Sequence, residues 1–394
     1  MDKNRTVQGY IALIFFAMFL YGLGAQMIGT LVSRIISHYN IQMAQAGLLT
    51  SFQFAGNFIA VLLVTIFSGR INKLILLGIS VFFLAASFCF VSTAPLFGIL
   101  LVNFSLMGIF FATLDTLVNS LTADLRPDSV KTSISFLHGL YALGGLLCPI
   151  IIERLAVKFG WTNAYFIISM VLVVYLVLYA VFVKSRRSQL SACLPPAQKA
   201  RFGLLDMLQF FKTNRNILLW ITMFLYGGSH STMVAWIKRY VETHLNEPSW
   251  GVYVLSVMWL GTALSRIVVS PNIKIPSLQK IFIGNLISAA ALIAGLLSGS
   301  VYGIAAASIA VGITSGFTVP LLVAQSCEWH QEKTAFGTLM PFTALFIASV
   351  VFPPFSGFIS DNLGIPFGVA LSAVCAAIAA VFSVICRRAS AERG

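Results

Sequence analysis

The sequence predicts an all-α membrane protein whose twelve transmembrane helices form two pseudo-symmetric six-helix bundles. Three observations support this prediction. Hydrophobic residues make up 58% of the 394 positions and charged residues only 9%, whereas about a quarter of a soluble domain is charged. The apolar residues fall into runs of about 20 residues, which is the length that crosses a bilayer. The chain also repeats itself at an offset of 204 to 205 residues.

The repeat is visible in short identical segments. Residues 18–22, Met-Phe-Leu-Tyr-Gly, recur as residues 223–227, and Arg34 corresponds to Arg239 at the same offset. At an offset of 204, glycines and prolines coincide: Gly47 with Gly251, Gly108 with Gly312, Pro149 with Pro353, and Gly160 with Gly364. Two similar halves are the architecture of many secondary transporters. We therefore divide the chain into an N-terminal bundle (1–184), a linker (185–215) and a C-terminal bundle (216–394).

Each apolar run is predicted to be a helix, because in hydrocarbon a segment must satisfy its own backbone polar groups. The first run follows Lys3 and Arg5, as in a signal peptide, but it is long, contains Gln26 and has no clear cleavage site, so we interpret it as a retained helix. The predicted helices span 9–37, 43–68, 73–92, 96–123, 132–156, 162–184, 216–243, 249–270, 278–299, 302–326, 335–357 and 365–387.

The basic residues predict the orientation. With both termini on one side of the membrane, that side receives 20 of the 25 Lys and Arg residues. Since Lys and Arg accumulate in cytoplasmic loops, we expect both termini in the cytoplasm of a bacterium, with the protein in its inner (plasma) membrane. The net charge of +13 is then a topology signal, and we expect lipid rather than nucleic acid around the chain.

The linker is the one long polar stretch. It contains Pro195 and Pro196 and seven basic residues within 184–215, and its segment 202–211 is a candidate amphipathic helix on the inner leaflet. The chain has no GxxxxGK[ST] phosphate loop, so an ion gradient or the solute gradient must drive transport. We expect no cofactor and no metal.

One carboxylate lies deep inside a predicted helix. Eleven of the twelve acidic residues fall in loops, tails or helix ends, and the exception is Asp115 in the fourth helix. Asn119 follows four residues later and shares its face. An ionisable residue in a span is a functional hypothesis by default. Alternatively, Asp115 is a structural partner for backbone groups or for an arginine.

His138 is predicted to reach the same depth on the fifth helix. Asp115 lies nine residues before the predicted turn at 124–131 and His138 seven residues after it, so at about 1.5 Å per residue the two are at similar depth. A carboxyl and an imidazole in that position are suited to a proton relay. Alternatively, His138 is a hydrogen-bonded packing residue.

Helices one and seven supply the candidate solute-binding groups. Tyr21 and Gln26 lie on the first, and Tyr226, His230 and Trp236 lie on the seventh. Their amide, imidazole and hydroxyl groups can bind a polar solute, and the aromatic rings can stack on it. The neighbouring glycines alternatively serve close helix packing. The remaining substrate-binding candidates are weaker: Gln53, Asn57, Thr314 and Gln325.

The residues resemble a known family over essentially the whole chain. Twelve helices in two repeated halves, joined by a long central loop, are similar to the major facilitator superfamily. The superfamily's signature between helices two and three is reduced to residues 69–73, Gly-Arg-Ile-Asn-Lys, without its acidic residue.

Within that superfamily, the chain resembles the fucose–galactose–glucose:proton symporter branch. The resemblance rests on D-x-x-x-N at Asp115 and Asn119, on the segment 137–145 that begins Leu-His, and on W-x-G-x-x-x-G-R from Trp259 to Arg266, with Ser265 for the second glycine. It implies cation-linked sugar uptake with Asp115 as the coupling residue. Several relatives have Glu at the position of His230. This departure affects the expectation of which ion is coupled and which sugar is bound.

We therefore expect a monomeric secondary transporter that couples a neutral, hydroxyl-rich solute to protons, with sodium as the alternative ion. The rival function is export of drugs or lipophilic metabolites. A membrane sensor or scaffold would need an added soluble domain, and none is evident. An enzyme is not expected, because Asp115 and His138 have no nucleophile, metal set or cofactor loop beside them.

The orientation is testable by cysteine labelling. A cysteine in the linker 184–215 should not react with a membrane-impermeant maleimide applied to intact cells, because the linker is predicted to be cytoplasmic. It should react once the cells are permeabilised. Efficient labelling of intact cells would reverse the predicted topology.

Overall fold

The computed structural model describes residues 2–67, 72–194, 208–331 and 334–391, and most of them are helical. We number the long helices in chain order: α1 Asp2–Ala25, α2 Met27–Tyr39, α3 Met43–Phe67, α4 Lys73–Ser92, α5 Phe97–Leu125, α6 Val130–Phe159, α7 Trp161–Ser191, α8 Asn214–Arg239, α9 Pro248–Leu264, α10 Ser277–Leu297, α11 Val301–Ser315, α12 Thr318–Trp329, α13 Thr334–Leu363 and α14 Ile365–Ala391. Short π-helical turns follow α8 (Tyr240–His244) and α9 (Ser265–Val269).

The predicted fold class is confirmed. Within the described residues, twelve helical segments are long and apolar enough to cross a membrane, so this is a multi-pass membrane protein. Two predicted helices are each divided: the first at Gln26, between α1 and α2, and the tenth at Gly316 and Phe317, between α11 and α12. Residues 195–207 of the linker lie outside the described residues, and so does most of the amphipathic helix predicted at 202–211.

The first compact unit comprises 1–27 and 56–201. In it α1 packs along α6, α5 and α7, and α4 packs on α5 and α7. Tyrosines bind backbone and one another where these helices meet: the Tyr179 hydroxyl donates to the Leu74 carbonyl at 2.8 Å and lies 3.0 Å from the Tyr10 hydroxyl. Pairing of this kind is needed because a polar group left without a partner in an apolar interior is costly.

The second compact unit comprises 28–55 and 202–394. Here α8 packs on α14 and α13, α9 on α11, and α10 on α11 and α14. Pro353 and Pro354 of α13 have no N–H, so the carbonyls of Ser349 and Val350, four residues earlier, lose their helical donors. The Ser51 hydroxyl supplies one of them, since it donates to the Val350 carbonyl at 2.5 Å. The indole N–H of Trp236 on α8 binds the same turn, at the Pro353 carbonyl (3.2 Å) and the Ser356 hydroxyl (2.9 Å).

The repeat appears in the packing as matching close approaches. A Cβ added at Gly56 would lie 2.0 Å from the Ser105 carbonyl oxygen in the first unit. One added at Gly261, 205 positions later, would lie 2.5 Å from the Ile309 carbonyl oxygen in the second unit. Ile309 itself is 204 positions after Ser105. The same pair of helices therefore touches through a glycine in each copy, as helices in membranes commonly do.

The units follow the sequence repeat except at residues 28–55, which come from the first copy but belong to the second unit. Backbone N–H groups of Met43 and Ala44, at the start of α3, donate to the carboxylate of Asp361 at 3.0 and 2.8 Å. The Ser33 hydroxyl donates to Glu242 at 2.5 Å, and Glu242 also pairs with buried Lys238. Division of the chain at 184 and 215, as the repeat suggests, stays a prediction.

The contact of Asp361 with α3 should contribute to stability. Its carboxylate satisfies N–H groups that the first turn of a helix leaves without partners, and it complements the positive end of the helix dipole. Loss of such a cap costs about 1 kcal/mol, so Asp361→Ala should lower the melting temperature of the detergent-purified protein by about 1–2 °C. Asn362→Ala is the matched control, because Asn362 is exposed and donates only within its own helix. Equal melting temperatures for both variants would refute this role.

Candidate functional site

The fourth predicted span, α5, carries Asp115 on its interior side. The side chain is half-buried, between buried Leu114 and Leu117 along the chain. Asn119 Nδ2 donates to Asp115 Oδ1 at 3.0 Å and to the Asp115 carbonyl at 2.9 Å. The predicted pairing of these two residues on one helical face is therefore present. Since α5 has a mean hydropathy of 2.1 in its most apolar part, the carboxyl lies in a chain segment suited to hydrocarbon.

Tyr21 of α1 stands beside Asp115. The carboxylate is close enough to the Tyr21 hydroxyl to act on it electrostatically. The Tyr21 ring packs on Phe111 of α5 with 5.0 Å between centroids, and on Tyr141 of α6 with 4.9 Å. Three helices thus converge on one polar centre in the first unit.

Gln26 extends this centre from the point where α1 ends. Its side chain is buried, with 6% of its surface exposed, and its Nε2 donates to the Tyr141 hydroxyl at 3.1 Å. The break between α1 and α2 therefore falls next to a hydrogen-bonding side chain, which agrees with the rule that irregular backbone at membrane depth is found where it is enclosed by protein or lines a cavity.

We define the first polar centre as Tyr21, Gln26, Asp115, Asn119 and Tyr141. Of these, Tyr141 is the residue that sequence reasoning missed. A signal was present, because Tyr141 follows His138 by three positions and so shares its side of α6. Neither composition nor spacing, however, indicates which residue of another helix it meets.

His138 and Asn57 lie in the same unit. His138 is half-buried on α6, and Asn57 is buried on α3, with 3% of its surface exposed. Asp115 is hydrogen-bonded to Asn119 and lies within electrostatic range of Tyr21, and a relay between Asp115 and His138 stays a prediction. The ring of Phe15 packs on Phe136, two residues before His138, at 5.3 Å.

The second unit has a polar centre of its own. The His230 ring stacks on Tyr226 at 5.9 Å and meets the edge of Trp259 at 5.5 Å. The Arg266 guanidinium acts electrostatically on both Tyr226 and His230, while its Nε donates to the Gly316 carbonyl at 3.0 Å. That carbonyl lies at the break between α11 and α12, so Arg266 supports the break as well.

Trp236 has a different environment from the one predicted. We expected its ring to face a solute in a central cavity. The side chain is fully buried, and its only polar atom donates to Pro353 and Ser356. This geometry gives Trp236 a packing role in the second unit, and Trp259 is instead the tryptophan in contact with His230.

The remaining candidates are dispersed. The Thr314 hydroxyl pairs with Ser288 at 2.8 Å, between α11 and α10. Gln325 donates to the exposed Glu328 at 2.9 Å on its own helix. Gln53 is buried on α3, in the part assigned to the second unit. A role of Thr314 and Gln325 in solute binding stays a prediction.

Comparison with solved structures gives the same fold at low sequence identity. A bacterial homologue of the human lysosomal transporter Spinster matches in an inward-facing occupied form (TM-score 0.72, 15% identity, 97% of each chain) and an unoccupied form (TM-score 0.76, 14% identity, 98% of this chain and 97% of that one). The transporter FucP in its outward conformation matches with TM-score 0.65 and 16% identity over 97% of this chain and 99% of that one.

Comparison by sequence identifies a family but no individual relative. No curated protein sequence matches this chain. The sequence pattern of the Major Facilitator Superfamily matches residues 14–277, which is two thirds of the chain and includes both polar centres apart from Gly316. Taken with the twelve spans and the paired six-helix repeats, this match identifies the chain as a member of the Major Facilitator Superfamily, a family of membrane transporters.

Proposed function

We propose that this protein is a secondary active transporter that carries a sugar, or a similar neutral polyhydroxylated solute, together with protons. The observation on which the proposal depends is the Asp115 carboxyl, half-buried in an apolar span with Asn119 as its hydrogen-bonding neighbour. An ionised aspartate at the centre of a span costs about 2.5–3.5 kcal/mol. A carboxyl with so high a cost indicates that its charge has a function. In a transporter without a nucleotide site, the function that fits is uptake and release of a proton.

The solute class is inferred from the groups around Asp115. Tyr21, Gln26 and Tyr141 offer hydroxyl and amide groups that both donate and accept hydrogen bonds, and they are flanked by the apolar face of Phe111. Alternating polar groups and flat rings suit a sugar, whose hydroxyls and C–H faces need both. A further reason is that one solved structure with this fold is named the E. coli fucose:proton symporter FucP (TM-score 0.63, 14% identity, 97% of this chain and 99% of that one).

The same reasoning assigns the other proposed features. His138 and Asn119 assist Asp115 in coupling, and Tyr226 and His230 are further solute-binding residues. Both termini and the linker lie in the cytoplasm of a bacterium, and the protein works as a monomer in the inner membrane. The coupling ion is the proton, with sodium as the ion to be tested against it.

Export of lipophilic compounds is the second candidate. It is favoured by an apolar pocket within the first unit, between α1, α4, α5 and α7, with Tyr21 at its side and aromatic walls from Phe88, Phe111 and Tyr175. A pocket of this composition has few groups with which to bind a hydroxyl-rich solute.

Transport by purified protein in liposomes separates the candidates. With an outside-acid pH gradient, the vesicles should accumulate at least one radiolabelled sugar from a panel of hexoses, pentoses and deoxysugars. A sodium gradient at constant pH should not drive this uptake. Failure of the whole panel, together with proton-driven movement of a lipophilic dye, would favour export instead.

Asp115→Asn tests the coupling residue. The substitution preserves shape and removes titration, so sugar accumulation under a proton gradient should fall more than tenfold, while exchange of labelled for unlabelled sugar across the membrane should persist. Asp124→Asn is the matched control on the same helix, since Asp124 pairs with Lys73 at 2.6 Å, away from the first polar centre. Accumulation at the wild-type rate by Asp115→Asn would make Asp115 a structural residue and leave His230 as the next candidate.

A further inference from the structure

Tyr141 occupies the middle of the first polar centre. On one side its hydroxyl oxygen accepts a hydrogen bond from Gln26 Nε2 at 3.1 Å. On the other side its ring packs on that of Tyr21 at 4.9 Å, and the two phenols interact electrostatically. Tyr21 in turn interacts with the Asp115 carboxylate. Tyr141 thus connects the amide at the end of α1 with the half-buried carboxyl of α5.

The backbone holds Tyr141 in this position. A Cβ added at Gly22 of α1 would lie 2.1 Å from the Tyr141 carbonyl oxygen, and one added at Gly144 of α6 would lie 2.4 Å from the Phe19 carbonyl oxygen. The two helices therefore touch backbone to backbone at Tyr141 and again one turn later at Gly144. A residue held by such contacts has little freedom to move away from Gln26 and Tyr21.

The chemistry of a phenol makes Tyr141 responsive to both neighbours. A tyrosine hydroxyl accepts hydrogen bonds and donates one. Because its oxygen accepts from Gln26, its own proton is directed to another acceptor. A solute hydroxyl that binds the Gln26 amide would remove the hydrogen bond to Tyr141, and the phenol would then reorient against Tyr21 and Asp115.

We propose that Tyr141 is the positioning residue through which solute binding at Gln26 and protonation of Asp115 influence one another. The proposal rests on the proton-coupled function proposed above and names the side chains that connect its two sites. Coupling of this kind is reciprocal: a solute that changes the proton affinity of Asp115 has its own affinity changed by the same factor when Asp115 is protonated.

The second polar centre lacks this connection. The position equivalent to Tyr141 at an offset of 204 is Leu345, and the position equivalent to Asp115 is Val319. Both pack against the apolar cluster that includes Tyr226. The phenol and the carboxyl therefore occur together in the first copy and are replaced together in the second.

Because the solute is not identified, the test measures proton binding by Asp115 directly. Infrared spectroscopy of the purified protein follows the carboxyl band that Asp115→Asn abolishes, as the pH is varied. Tyr141→Phe keeps the ring and removes the hydroxyl. The pH at which this band reaches half its amplitude should change by about half a unit or more, because the Tyr141 hydroxyl acts on Asp115 through Tyr21.

Tyr165→Phe is the matched control. Tyr165 lies in the same unit, is fully buried, and its hydroxyl has no hydrogen-bond partner among the described residues. Its removal should leave the midpoint of the Asp115 band unchanged. An unchanged midpoint in Tyr141→Phe as well would overturn the proposal, and so would an equal change in both variants, because a general effect of losing a buried phenol would explain it.

A double substitution checks the path between Gln26 and Tyr141. If the two act through their hydrogen bond, Gln26→Leu should move the midpoint as Tyr141→Phe does, and the double variant should equal either single one, since contacting residues are not additive. Additive changes would overturn the path. The outcome is separable from the proposed function: wild-type accumulation by Asp115→Asn refutes proton coupling at Asp115, whereas an insensitive band in Tyr141→Phe refutes only the role of Tyr141.

Discussion

Hydrocarbon offers no hydrogen-bonding partner, and this constraint explains most of the structure. Backbone groups find partners within helices, and at two proline-interrupted turns a side chain supplies the missing one. Arg266 donates to the carbonyl of Gly316, four residues before Pro320, and Ser51 donates to the carbonyl of Val350, four residues before Pro354. Polar side chains inside the spans serve the same requirement. A hydrogen bond to another protein group is therefore the first explanation for each of them, and solute or proton binding is the second.

The same constraint determines how much of the fold the sequence reveals. A span must be an apolar helix of sufficient length, so composition and run length alone predict all twelve segments, most of them to within a few residues. The breaks at Gln26 and Gly316 are less predictable, because a broken helix is as apolar as an intact one. Some helices continue past their apolar run, such as α7 to Ser191 and α13 to Leu363. Their last residues are more polar, so the hydrophobic pattern predicts helices that end too early.

The candidate site was predictable only within single helices. Asp115 and Asn119 lie four residues apart, and helical periodicity is enough to pair them. Tyr141 and Trp259 approach their neighbours across helix interfaces, where the pairing depends on rotation and depth that no spacing encodes. For Trp236, an aromatic ring at mid-span depth predicts a solute contact, and no spacing indicates that its indole N–H donates to Pro353 and Ser356 on another helix.

The glycine contacts have a consequence for the history of the chain. Where one backbone lies against another, as at Gly56 and Gly261, any added carbon would overlap a carbonyl oxygen, so these positions cannot change while the helices stay together. Asp115, Asn119 and Tyr141, by contrast, differ from their counterparts in the second copy. After a gene duplication the two copies are free to diverge in chemistry but not in the contacts between their helices. The glycine spacing therefore keeps the period of the repeat, about 204 residues, where most other positions of the two copies differ.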